Sequence, residues 1–171
     1  MDEPVLRYWE IDRVGRGMEK WRRARPDIDG SGKAIVGRIL HLNEIIMRAV
    51  DKALAKHGVK YPVYAVLATI RVSGPPFRMS PTELLSTLLV TSGGLSNLLR
   101  RMEADGYITR TADERDGRGV IVELTDKGVA VADASMADHA AVERELVECL
   151  PSDTRETVAR ALGLMITTAE R

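Results

Sequence analysis

One stretch limits what this chain can become more than any other: Thr91-Ser92-Gly93-Gly94-Leu95-Ser96-Asn97-Leu98-Leu99-Arg100-Arg101-Met102-Glu103-Ala104-Asp105-Gly106. Leu95, Leu98 or Leu99, and Met102 recur at steps of three and four, the period that gathers side chains on one face of an α-helix. Thr91 or Ser92 can close the first turn by accepting an orphan backbone N–H. Gly106 suits the far end, where glycine takes the left-handed conformation at little cost. The other face carries Ser92, Ser96, Asn97, Arg100 and Arg101. Small hydroxyls and an amide near the N-terminus, then arginines, suit base edges first and phosphates after. The stretch therefore reads as a helix that enters a DNA groove. Gly93 and Gly94 are poor helix formers, but they fit a backbone that must come close to another surface.

The flanks agree with this. Ser80-Pro81-Thr82-Glu83 is a capping box with proline at the first helical position. It opens a short helix from Pro81 to about Thr87, with Leu84, Leu85 and Leu88 available to a core. Short helix, turn and longer helix make a helix-turn-helix. After Gly106 the period changes to alternation, and Tyr107–Thr111 and Val120–Leu124 read as strands. Between them the polar loop 112–119 carries Arg115 and Arg118, giving a β-hairpin with a charged tip, a wing. Such a tip reaches the neighbouring minor groove or its phosphates, where arginine is favoured, and Asp116 reads as holding Arg118. The candidate DNA contacts are Ser80, Thr91, Ser92, Gly94, Ser96, Asn97, Arg100, Arg101, Arg115 and Arg118. A plain solvated helix face could carry the same residues; the capping box and the hairpin turn the reading toward DNA.

These blocks, followed by Val122-Glu123-Leu124-Thr125-Asp126-Lys127-Gly128, resemble in order and spacing the MarR family of bacterial transcription regulators. The resemblance runs from about Ala34 to the C-terminus. It implies a mainly α fold: a winged helix-turn-helix with a small β-hairpin wing and a helical dimerisation region. It also implies a homodimer on a palindromic double-stranded DNA operator, often released by a small-molecule effector. The expected organisation is an N-terminal helical extension over 1–33, a dimerisation region over 34–60 and 126–171, and the DNA-binding domain over 61–125.

Charge has to be read locally, because 25 basic residues balance 25 acidic ones. Residues 34–90 hold seven basic and three acidic residues, and 126–171 hold five and nine. Residues 91–125 hold five and six, so the reading element is not basic as a whole. That lowers non-specific affinity, which scales with the phosphates neutralised, and leaves the work to a few placed arginines. Aromatics make up 4%, which argues against single-strand binding by stacking. No apolar run approaches a membrane span and no signal-peptide layout opens the chain, so no membrane and a cytoplasmic location are expected.

Elsewhere, Val5, Tyr8, Ile11, Val14, Met18 and Trp21 make residues 3–25 an amphipathic helix, weakened by Gly15 and Gly17. Pro26–Gly32 is a turn. Residues 34–57 form a long helix with Ile35, Ile39, Leu42, Ile46, Val50 and Ala53 on one face, ended by Gly58. Residues 62–71 form another, with Val63, Val66, Leu67 and Ile70 inward, broken by Gly74-Pro75-Pro76. Thr125 can cap a helix from Asp126 to about Cys149. A last helix runs from about Asp153 to Ala169, with Val158, Leu162 and Met165 or Ile166 on its face. His41, His57 and His139 show no chelating spacing, so no metal and no cofactor are expected. Cys149, beside Leu146 and Leu150, reads as a buried inert thiol rather than a sensor. No nucleophile elbow or Walker loop is present, and an enzyme is not expected.

The extension, Trp21-Arg22-Arg23-Ala24-Arg25-Pro26-Asp27-Ile28-Asp29, resembles the urate-responsive branch of the family. There a tryptophan, an aspartate in the second core helix and two arginines surround an anionic purine. Trp21 and Arg110 match. The branch's Phe-Asp-Val-Leu is Tyr64-Ala65-Val66-Leu67 here, and its Thr-Asn-Arg is Ser96-Asn97-Leu98. Ala65 and Leu98 supply neither carboxylate nor guanidinium. Trp21, Ala65, Leu98 and Arg110 are thus expected to line a more apolar site, for a fairly apolar or aromatic ligand. The plainer alternative is that Ala65 and Leu98 pack core, in a constitutive regulator or a winged-helix interaction protein without a ligand.

Overall fold

The computed structural model describes residues 12–88, 91–113 and 119–171. It contains α1 (Arg13–Ala24), α2 (Lys33–Ala55), α3 (Tyr61–Val72), β1 (Arg78–Met79), α4 (Pro81–Thr87), α5 (Ser92–Ala104), β2 (Ile108–Ala112), β3 (Val120–Leu124), α6 (Asp126–Val147) and α7 (Ser152–Ala169). The chain divides into two compact units, Met1–Ala49 and Val50–Arg171, with α2 running across the boundary. None of the described helices is long and apolar enough to cross a membrane.

In the first unit, an ion pair and a close approach join α1 to α2. Asp12 accepts the Gly15 N–H at 2.9 Å and meets Arg38 Nε at 2.7 Å. A Cβ on Gly37 would lie 2.9 Å from Val14 Cγ1, so this crossing admits nothing larger than glycine without a shift. Of the expected helix over 3–25, the described part is α1, which begins at Arg13: Asp12 is extended, with φ −146°, and its carboxylate serves as cap and ion-pair partner together. Residues 3–11 of that expectation lie outside the described residues.

The second unit has one core. Val66, Leu67 and Ile70 of α3 meet Leu84 of α4, Leu95, Leu99 and Met102 of α5, Ile108, Val122 and Leu124 of the sheet, and Ala132 of α6. The expected inward residues of 62–71 and 81–87 are these, with Val63, Leu85 and Leu88 packed around them. The sheet has the order β1-β3-β2, all antiparallel. β2 and β3 are the expected hairpin, pairing Ile108 with Leu124 through Ala112 with Val120. β1 is an addition: two residues, too short for alternation to mark, set against Glu123 and Val122.

Two expectations about burial need correction. Ile35, Ile39 and Leu42 of α2 are exposed, while Val50, Ala53 and Leu54 are buried. Only the C-terminal part of the apolar face on α2 is covered within the chain. Cys149 is exposed, not buried. It lies just past the end of α6, with its thiol 3.8 Å from the Leu146 carbonyl, and no residue of α7, which follows, is buried.

Candidate nucleic-acid interface

The N-terminus of α5 is shaped by Thr91, which is extended and accepts the Gly94 N–H on its hydroxyl at 3.2 Å. A Cβ on Gly94 would come within 3.0 Å of that same oxygen, so glycine keeps the cap tight. Ser92, Ser96, Asn97, Arg100 and Arg101 are all exposed, while Leu95, Leu99 and Met102 are sunk in the core. The two faces that the period separates in sequence are thus separated in space. Arg100 Nη1 donates to Asn97 Oδ1 at 3.1 Å, which joins the central amide to the arginine one turn on.

Ser80 begins α4 with both halves of a capping box. Its hydroxyl accepts the Glu83 N–H at 3.2 Å, and the Glu83 carboxylate accepts the Ser80 N–H at 2.7 Å and the hydroxyl at 2.8 Å. These bonds hold the Glu83 carboxyl below its ordinary pKa, the backbone bond from Ser80 contributing most. Ser80 is therefore engaged in ending a helix whatever else it meets. Arg115, Asp116 and Arg118 lie outside the described residues.

The far end of α5 is fixed by Gly106 and Thr125, whose local roles were expected, and by Lys127 and Gly128, whose roles were not. Gly106 is left-handed, φ +74°, as expected. Beyond it Thr125 Oγ1 donates to the Gly106 carbonyl at 2.7 Å and accepts the Gly128 N–H at 3.0 Å as the cap of α6. Lys127 Nζ donates to the Asp105 carbonyl at 2.7 Å and lies 4.6 Å over the Tyr107 ring. A cation at this end complements the helix dipole. A Cβ on Gly128 would stand 2.0 Å from the Tyr107 carbonyl oxygen, an impossible contact. The block 125–128 therefore locks α5 to α6; the cap at Thr125 was expected from the sequence, the close packing of Gly128 was not.

The residues expected to meet a ligand fall in both units, Trp21 in the first and Ala65, Leu98 and Arg110 in the second. Arg110 donates from Nε to Glu103 Oε2 at 2.8 Å, and this pairing holds the Glu103 carboxyl below its ordinary range. Leu98 is half-buried against the core and Ala65 is half-buried on α3. Trp21 belongs to the other unit. There it is exposed, beside a cavity of about 740 Å³ lined by Met18, Arg22, Ile28, Asp29 and Lys33 among others. Lys33 Nζ lies 4.3 Å from the Trp21 ring centroid. No group of three His, Cys, Asp or Glu able to hold a metal occurs among the described residues. His57 faces Asp138 at 3.2 Å, and His139 stacks on Tyr64 with centroids 4.6 Å apart.

Comparison with known proteins places these features. The model of the MarR family matches residues 57–119. The HTH-type transcriptional regulator PecS of Dickeya dadantii (strain 3937) is 31% identical over 158 residues, spanning 92% of this chain and 93% of that protein. Among solved structures, a mutant MarR from E. coli complexed with operator DNA superposes with a TM-score of 0.69 at 27% identity, covering 81% of this chain and 99% of that one. AbsC, a MarR family transcriptional regulator from Streptomyces coelicolor, shares the fold with a TM-score of 0.76 at 20% identity, over 84% of this chain and 97% of that one.

Proposed function

Because the chain belongs to the MarR family of transcriptional regulators, we propose that it binds a palindromic double-stranded DNA operator as a homodimer and represses from it. The observation that carries this reading is α5. Its apolar face is buried, its N-terminus is capped by Thr91, and Ser92, Ser96, Asn97, Arg100 and Arg101 are exposed on the opposite side. Side chains so placed on a rigid helix suit major-groove base edges and phosphates. Residues 61–125 are assigned to reading, 34–60 and 126–171 to dimerisation, and 1–33 to an extension. Members of this family act as non-catalytic DNA-binding proteins, and no enzymatic step is assigned here. The test is titration of palindromic fragments from around the gene at several salt concentrations. A steep salt dependence with a sequence preference supports the reading; equal affinity for any duplex refutes it.

The effector assigned to this regulator is apolar or aromatic rather than urate. Ala65 and Leu98 stand where the urate-responsive branch has a carboxylate and a guanidinium. An anionic purine entering without them loses water uncompensated, at roughly 1–3 kcal/mol per unpaired group. Arg110, the remaining arginine, already has Glu103 as its partner. Trp21, half-exposed with Lys33 over one face of its ring, borders a cavity whose volume lies in the range of small-molecule sites. Calorimetry with urate and a panel of aromatic acids and phenols decides the matter. Tight saturable urate binding that is lost in Trp21→Phe would return the chain to the urate-responsive branch.

A further inference from the structure

Arg71, next to the last residue of α3, meets two other elements of the unit Val50–Arg171. Its guanidinium meets Asp133 of α6, with Nη2 donating to Oδ2 at 3.2 Å and Nε 2.7 Å from Oδ1, close enough for an ion pair but not aligned for a hydrogen bond. The bond and the second close contact together limit how the guanidinium can turn. The flat face of the same group lies over the Phe77 ring, Cζ 4.6 Å from the centroid, within cation–π range. Phe77 has φ +55°, the one non-glycine residue with positive φ among those described. A bulky residue rarely takes that conformation. It persists where surrounding contacts over-determine it, and such positions gather at functional elements.

The backbone of Phe77 serves the sheet. Its N–H donates to the Gly74 carbonyl at 2.8 Å, and its own carbonyl accepts the Leu124 N–H at 3.0 Å, at the foot of β3. The next two residues are β1, paired with Glu123 and Val122 of β3. One side chain thus connects α6, through a carboxylate, to the residue from which the wing sheet starts. An ion pair half open to water adds little to overall stability. Its two-point geometry is better suited to setting an angle.

We propose that Arg71 is a positioning residue for the wing: gripped by Asp133 and stacked on Phe77, it sets the angle at which β1 and β3 leave the body of the unit, and so where the wing meets DNA. The inference rests on the DNA-binding function proposed above. Arg71 itself touches no phosphate in this scheme. A displacement of α6 would carry Asp133 with it and re-aim the wing, which gives the dimerisation helix a route to the DNA-binding surface.

Asp133→Asn tests this, because it frees Arg71 without removing it. In the full-length protein we expect operator affinity to fall about tenfold, although the variant removes a negative charge. The melting temperature should hold, and exchange of the Leu124 amide should quicken without DNA present. Arg71→Met should match it, and Arg71→Lys, which keeps a cation for Asp133 but no flat face for Phe77, should recover part of the loss. Unchanged affinity in Asp133→Asn would overturn the inference. Tighter binding would overturn it too, marking Arg71 as a phosphate contact released from its carboxylate. Wild-type protein that binds no operator at all would remove the DNA-binding reading and this inference together, whereas a normal wild type beside unaffected variants removes only this one.

Discussion

Two helices of one unit carry the same apolar period and meet opposite surroundings. In α5, Leu95, Leu99 and Met102 are 1%, 3% and 0% exposed. In α7, Val158, Leu162 and Met165 are 40%, 37% and 39% exposed, and no residue of the helix is buried. Their ends differ as well. Thr91 caps α5 with its hydroxyl, while α7 follows Pro151 with no side-chain cap. Periodicity states which face of a helix needs cover; it does not state whose residues supply the cover. The chain completes α5 from within. In the proposed homodimer a second copy completes α7, and the exposed Ile35, Ile39 and Leu42 of α2 present the same need.

The largest expected effect breaks the α7 side of this contrast. Leu162→Asp with Ile166→Asp puts two charges on a face that the proposal buries between copies. Sedimentation at micromolar concentration should show monomer in place of dimer. Operator affinity should fall by roughly two to four orders of magnitude, the advantage of engaging both half-sites at once. A variant that stays dimeric would show that α7 is exposed for some other reason.

The next effect attacks the completeness of the α5 side. Gly128→Ala places a methyl 2.0 Å from the Tyr107 carbonyl oxygen and 3.1 Å from its carbon, both backbone atoms with little room to yield. Urea unfolding should show a loss of about 3 kcal/mol, the upper range for overpacking. A loss below about 0.5 kcal/mol, the level of an ordinary surface change, would mean that α6 slides freely past the end of α5.

How much of this could be read from the sequence follows the same division. The capping box at Ser80 and Glu83, the cap at Thr125, the left-handed glycines 58 and 106 and the two wing strands all depend on neighbours a few residues apart, and all appear where expected. The misses depend on distant partners or on short range without period. β1 has two residues and exists because β3 stands beside it. Asp12 caps α1, and the arginine that also takes its carboxylate, Arg38, lies 26 residues on. Arg71, Lys127 and Gly128 look like surface charges and a loose helical glycine until α6 and the end of α5 are seen together. Cys149 has the apolar neighbours Leu146 and Leu150, but these are only partly covered and the thiol stays exposed. For the proposed reading surface, the helical period sufficed to put Ser96, Asn97, Arg100 and Arg101 on the exposed side of α5, while the bond between Asn97 and Arg100 needed coordinates.

A third prediction tests the exposed face of α5. Asn97→Ala removes a groove-facing amide and leaves the buried face untouched. It should cost about 1–3 kcal/mol in operator binding, concentrated at particular base pairs, with stability unchanged. Arg100 also loses its acceptor in this variant, so specificity should relax most at the positions that Arg100 reaches. Operator affinity and base preference equal to wild type would place the reading surface elsewhere.

The smallest effect concerns helix ends, the second half of the contrast between α5 and α7. The capping box of α4 supports the helix that α5 packs against, and its carboxylate titrates. Glu83 is held below its ordinary pKa of 4.5, first by the Ser80 N–H and then by the Ser80 hydroxyl. A depressed carboxyl stabilises the fold above its unfolded pKa, and that contribution fades as pH falls through the lower, folded value. The group is well exposed, so the contribution is of the order of a few tenths of a kcal/mol. In Glu83→Gln the amide oxygen still accepts the Ser80 N–H but no longer titrates. The stability difference between wild type and variant should therefore be steady near pH 7 and shrink below about pH 4.5, toward zero once both folded and unfolded carboxyls are protonated. Helix α7 has no such side-chain cap to lose, so acid should weaken the packed unit at α4 without any matching change at α7. Urea midpoints measured from pH 7 down to pH 3 on both proteins give the answer. Parallel curves across that window would show that the box orders α4 without stabilising it.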